Sequence, residues 1–195
     1  LATSADGFTW TKPELGLVDY KGSKANNIMI DPARSPHSPC VIFDPADAAY
    51  AWKLTGFWNE PPPPMWKENW GMYAWRSRDG IRWEEIAGIR ARMGDRCSFY
   101  RDPFTGKYVF LSRVPELFAT AGGRHIGRTE SDDFVNWSTP ELVLKTDLQD
   151  EPDVEFYGMP VFHRHGWSLG LLEHWDSGRD VLDVRRAVSR DGRHW

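Results

Sequence analysis

The sequence predicts an all-β chain folded as a β-propeller of four-stranded antiparallel blades, and three observations carry that prediction. Ser-x-Asp-x-x-x-Trp occurs four times, at Ser4–Trp10, Ser77–Trp83, Ser131–Trp137 and Ser189–Trp195. Strand-like runs lead into the last three copies: Met72-Tyr-Ala-Trp-Arg, His125-Ile-Gly-Arg-Thr and Val184-Arg-Arg-Ala-Val. No window carries an apolar stripe of helical period that is free of Pro or Gly. The motif tryptophans fall 73, 54 and 58 residues apart, somewhat more than the period of the commonest propeller repeats.

Each copy of the motif reads as a tight turn between two strands. Ser ends the incoming strand, the Asp side chain bonds back to turn amides, and Gly (Gly7, Gly80, Gly192) supplies a positive φ. Phe134 takes the Gly place in the third copy. The Trp opens the outgoing strand and is large enough to wedge between sheets, so all four are expected to be buried against a neighbouring blade. Earlier in each unit lies a hairpin: Cys40 to Phe43 turning back at Tyr50 to Leu54, Cys97 to Arg101 turning back at Lys107 to Leu111, and Tyr157 to Arg164 turning back at Trp167 to Leu172. The expected units are 11–83, 84–137 and 138–195, with 1–10 the end of a preceding blade. Closed propellers need at least four blades, so the chain is expected to be an excerpt, about three blades of a larger ring. Glu60 followed by Pro61 to Pro64 reads as a stiff loop on the rim of the first unit.

Composition narrows the function classes. The 195 residues are 41% hydrophobic and 14% aromatic, enough for a packed core, so disorder is excluded. The net charge of −4 argues against a phosphate-tracking surface, and nucleic acid is not an expected partner. No apolar run approaches the ~18 residues of a spanning helix, so no membrane partner is expected. Cys40 and Cys97 form neither a disulfide framework nor a CxxC pair, and they suit a reducing or an oxidising compartment equally. No metal-ligand spacing, phosphate loop or nucleophile elbow is present, and no cofactor is expected. No secretory signal is visible, and the compartment stays open between secreted, periplasmic and cytoplasmic.

The turn motifs, the Asp-Pro hairpins at Asp44-Pro45 and Asp102-Pro103, and the stretches Gly94-Asp-Arg-Cys-Ser-Phe-Tyr and Ala187-Val-Ser-Arg-Asp-Gly-Arg-His-Trp resemble the five-bladed propeller glycoside hydrolases. That group acts on fructosides, arabinosides and xylosides and includes mannoside phosphorylases; bacterial glycosidase-like propellers resemble this chain most. The resemblance implies three carboxylates on the innermost strands of successive blades: a base or nucleophile, an orienting carboxylate and a general acid. Carried onto this chain, Arg101-Asp102-Pro103 matches the group's Arg-Asp-Pro, and Glu155 takes the place of the acid. Glycoside cleavage needs one carboxyl protonated and one ionised.

From the residues themselves, Glu155, Asp102 and Asp44 are the catalytic candidates. Asp102 and Asp44 have a competing reading as hairpin-turn residues. The substrate-binding candidates are Arg96, held by Asp95, together with Asp153 and the aromatic residues Trp58 and Trp66 beside the proline run. The expected activity is hydrolysis of a glycosidic bond, with a carbohydrate as partner. A non-catalytic carbohydrate-binding propeller and a structural or protein-binding propeller are the alternatives. Asp102 and Glu155 discriminate between them, because the two-carboxylate chemistry needs both at one pocket.

Overall fold

The structure is a computed structural model that describes residues 1–59, 70–114 and 123–195. Its described residues form three four-stranded antiparallel sheets and a single turn of 3-10 helix, Pro32–Arg34. In chain order the strands are β1 (His37–Phe43), β2 (Trp52–Asn59), β3 (Trp70–Ser77) and β4 (Trp83–Ala91) in the first sheet. The second holds β5 (Ser98–Arg101), β6 (Tyr108–Arg113), β7 (Ile126–Ser131) and β8 (Glu141–Leu144). The third holds β9 (Val154–Gly158), β10 (Val161–Arg164), β11 (Trp167–Asp176) and β12 (Val181–Ser189). The all-β propeller architecture therefore stands, each sheet a blade built from consecutive strands.

In the third sheet, β9 and β10 both pair with β11: β9 with Glu173–Asp176 and β10 with Trp167–Gly170. They are one innermost strand interrupted at Met159-Pro160, where proline has no N–H for the ladder; the Pro160 carbonyl still accepts from Leu171 N at 2.9 Å.

The side-chain period of two decides how the sheets stack. Along β5 and β6 of the middle sheet, Phe99, Tyr108 and Phe110 face the first sheet, where they meet Met72, Ala74 and Met93. Their neighbours Tyr100, Val109 and Leu111 face the third sheet and meet Val154, Phe156, Met159 and Leu172. The innermost strands come together: β5 lies against β1 on one side and β10 on the other.

The turn motif behaves as its residue types require. In the second copy Asp79 Oδ1 accepts the amides of Ile81 and Arg82 at 2.8 Å each, while Ser77 Oγ accepts that of Gly80 at 2.9 Å. The other three copies repeat the Asp bonds around Asp6, Asp133 and Asp191. The amides hold the carboxylates of Asp6 and Asp133 down at about 2. The tryptophans differ from expectation. Trp83, Trp137 and Trp195 are partly buried, but Trp10 is 59% exposed because no sheet among the described residues covers it. Trp83 also opens β4 of its own sheet, so the hydrogen-bonded sheets run 37–91, 98–144 and 154–189.

Candidate functional site

Strand register sorts the candidate residues by end. β1 begins at His37, opposite Phe57, and runs to Phe43, opposite Trp52. β5 begins at Ser98, opposite Leu111, and ends at Arg101, opposite Tyr108. The starts of the innermost strands thus share one end with the end of β2, the start of β3, the end of β6 and the start of β7. The strand ends share the other with the turn motifs that follow β3, β7 and β12. At the first end Ser38, Cys40, Arg96, Cys97, Gly158, Pro160 and Glu173 line a cavity of about 290 Å³.

Asp44 and Asp102 lie at the opposite end, which corrects the expectation that they join a pocket with Glu155. From Cys97 to Asp102 the strand covers roughly 16 Å. Asp102 is buried and spends its side chain on the hairpin: Oδ1 accepts Phe104 N and Oδ2 the Thr105 hydroxyl, both at 2.9 Å. Asp44 is likewise buried, accepting Ala46 N at 3.1 Å and the Tyr108 hydroxyl of the next sheet at 2.5 Å. Burial, then that bond, pushes the Tyr108 phenol well above its usual range. Both are turn carboxylates, as Asp-Pro chemistry allows, with Asp44 also joining two sheets.

Asp153 stands apart as well: its carbonyl accepts Ser177 N and Oγ at the β11–β12 hairpin, and its side chain packs on Gly178. Trp58 packs against Leu54, Tyr73 and Trp75 of its own sheet, with its ring 6.4 Å from that of His37. Trp66 lies outside the described residues.

Arg96, Asp95 and Glu155 are brought together, though not with the partners expected. Arg96 forms a two-pronged pair with Glu173, Nε to Oε2 at 2.9 Å and Nη2 to Oε1, and that bond raises its pKa. Asp95 holds Arg113 instead, Nε to Oδ1 at 2.5 Å. Glu155 pairs with Arg124. These three pairs surround the ring of Tyr157, with the guanidinium carbons of Arg96, Arg113 and Arg124 at 5.4, 5.7 and 5.2 Å from its centre. Trp175 meets Tyr157 edge-on at 5.4 Å and Arg124 at 4.8 Å.

Sequence reasoning missed Glu173, Tyr157 and Trp175. Glu155 opposes Trp175 and Gly158 opposes Glu173 across the β9–β11 ladder. Trp175 and Glu173, two apart on β11, share a face with Glu155. That alternation was present in the sequence, but the pairing of β9 with the far half of β11 was not.

Two of the six non-glycine residues held at positive φ among the described residues stand at the cavity. Ser38 and Arg96, at the starts of the first two innermost strands, have φ of 49° and 60°, and the Arg96 N–H donates to Ser38 Oγ at 3.2 Å. Non-glycine residues held there need support from their surroundings and cluster at functional sites. Gly158 ends β9 just before the break at Met159-Pro160, and an added Cβ there would fall 2.8 Å from Glu173 Oε2 and 3.0 Å from Arg96 Cβ. Among the described residues the carboxylate lining the cavity is Glu173, from the neighbouring strand β11.

No protein-family model matches the chain, and no curated protein sequence does. Solved structures do. An N-acetylgalactosamine deacetylase from F. plautii matches all of the chain with a TM-score of 0.68 at 15% identity, over 58% of its own length. The Penicillium chrysogenum α-L-arabinanase matches 83% of the chain at a TM-score of 0.55 and 15% identity, over 48% of its length. The Listeria innocua β-1,2-mannobiose phosphorylase matches 72% at 0.54 and 15%, over 37% of its length. The chain has the fold of the propeller glycoside hydrolases. It spans well under two thirds of the length of each of these proteins.

Proposed function

We propose that the end of the propeller bearing Arg96, Glu173 and Tyr157 binds carbohydrate. The observation that carries the reading is the set of three arginine–carboxylate pairs around one aromatic ring, beside a cavity where the three sheets meet. A sugar offers adjacent hydroxyls, each both donor and acceptor. A fixed guanidinium next to a fixed carboxylate satisfies such hydroxyls in the same plane. Aromatic rings take the apolar C–H face. The propeller relatives point the same way: two are described in complex with arabinobiose and with β-1,2-mannobiose, and a third with a blood group trisaccharide.

Hydrolysis is the second reading, and a different pair of carboxylates supports it. Asp102 is too far from Glu155 to share a sugar, but Glu155 and Glu173 occupy one face of the third sheet. A pair of carboxylates on one face is what glycoside cleavage requires. Each, however, is held by an arginine that would have to be displaced before its carboxyl could face a glycosidic oxygen. Binding without cleavage is therefore the leading reading.

The test is calorimetric titration of the protein with arabinobiose and with β-1,2-mannobiose, alongside a glycan array. Binding that weakens at least tenfold in Arg96→Ala supports the site. A protein that retains no glycan refutes it. Release of reducing sugar that is lost in both Glu155→Gln and Glu173→Gln would promote the hydrolytic reading.

A further inference from the structure

Both cysteines of the chain meet under the cavity. Cys40 lies in β1 and Cys97 immediately precedes β5; both are free thiols and both line the cavity wall. The strands that carry them pack side by side. Cys40 Sγ lies 3.2 Å from the Cys97 carbonyl oxygen, so one thiol already touches the backbone of the other cysteine. Cys97 Sγ is turned towards the Gly94 carbonyl at 3.7 Å.

We propose that Cys40 and Cys97 form a disulfide that ties the first sheet to the second beneath the cavity, made by exchange with a small-molecule disulfide that enters through that cavity. The Cys40 thiolate attacks one sulfur of the small disulfide, forming a mixed disulfide and releasing one thiolate. The Cys97 thiolate then attacks Cys40 Sγ, closing the protein bond and expelling the second thiolate. The two protein thiols lose two electrons, the small disulfide gains them, and the two protons pass to the released thiols. Burial pushes both protein thiols up, Cys97 further, so Cys40 is the first attacker and the exchange quickens as pH rises. The bond would fix the segment that carries Ser38 and Arg96 and close a loop across 57 positions of sequence.

The experiment treats the folded protein with oxidised glutathione at about pH 8.5, followed by intact mass, alkylation under denaturing conditions and peptide mapping. The expected product is lighter by two hydrogens, takes up no iodoacetamide and yields a Cys40–Cys97 linked peptide. Its Tm should rise by about 5–10 °C, and dithiothreitol should restore both thiols. Two alkylated cysteines after prolonged exchange would overturn the proposal, as would glutathione held stably on either one. A linked protein with a lowered Tm would overturn it too, since the bond would then oppose the native geometry. None of these readouts depends on sugar binding, so the thiol proposal and the carbohydrate reading fail separately.

Discussion

Phe134 offers a direct measure of what the turn motif contributes. In the other three copies its place is glycine, at φ of 79°, 73° and 68°, and Phe134 adopts the same backbone at 67°. A side chain in that region costs about 1–2 kcal/mol. The ring repays it by burial: Phe134 is 1% exposed, with Tyr108, Phe99 and Trp137 at 5.3, 5.6 and 6.0 Å and the Lys53 ammonium 5.6 Å from its centre. Truncating a buried phenylalanine costs about 3–5 kcal/mol. Phe134→Gly loses the ring and relieves the strain, for a net loss of about 2–3 kcal/mol. Phe134→Ala loses the ring and keeps the strain, so it should be the less stable variant by about 1 kcal/mol. Urea unfolding followed by tryptophan fluorescence measures both. A glycine variant as stable as the parent, or an alanine variant more stable than the glycine one, would refute the account of ring burial set against backbone strain.

Three further outcomes are expected. The turn carboxylates bind protons less readily when folded, so their stabilisation is complete above the unfolded value near 4 and is lost as pH falls towards the folded value of about 2 for Asp6 and Asp133; acid titration of Tm should drop across that window, and less steeply in Asp133→Asn. Asp102→Ala should destabilise by about 2–4 kcal/mol, because Phe104 N and the Thr105 hydroxyl lose their acceptor and the buried Arg128 loses a nearby carboxylate at 3.9 Å; glycan affinity should not change, and a selective loss of affinity in calorimetry would return Asp102 to the site. Gly158→Ala should push Glu173 away from Arg96 and weaken glycan binding at least tenfold with little change in Tm, checked by titration and thermal melting in parallel.

The fold was legible because its signals are local. A Ser and an Asp two positions apart accept nearby turn amides whatever lies around them, so four copies in sequence became four turns in space. Alternation along Phe99, Tyr100, Val109 and Phe110 declared a sheet packed on both faces for the same reason. Trp10 was misjudged because burial needs a neighbour, and the motif does not carry one. The site was harder to see because its members meet through register and topology. Asp102 and Arg96 are six positions apart and looked like one constellation, yet an extended strand places them at opposite ends of the sheet. Glu173 and Arg96 are 77 positions apart and form the two-pronged pair.

The two ends of the molecule divide the work that sequence reasoning had assigned to one place. At the end holding the turn motifs, Asp44 and Asp102 accept bonds from their own hairpins and are sealed in by Tyr108 and Arg128. Their buried oxygens accept bonds from within the protein, and removing either carboxylate costs stability. At the other end the acidic residues face arginines rather than amides. The backbone there is held at positive φ in Ser38 and Arg96, and glycine is required at position 158 to let Glu173 approach. Phe134 offsets the same strain by burial, whereas Ser38 and Arg96 are not buried, which makes them candidates for a functional role. The contrast between acids satisfied by their own turn and acids held in place by arginines from other strands is the physical reason for placing function at the second end. The Asp-Pro pairs, conspicuous in the sequence, lie at the other end from the one proposed to bind carbohydrate.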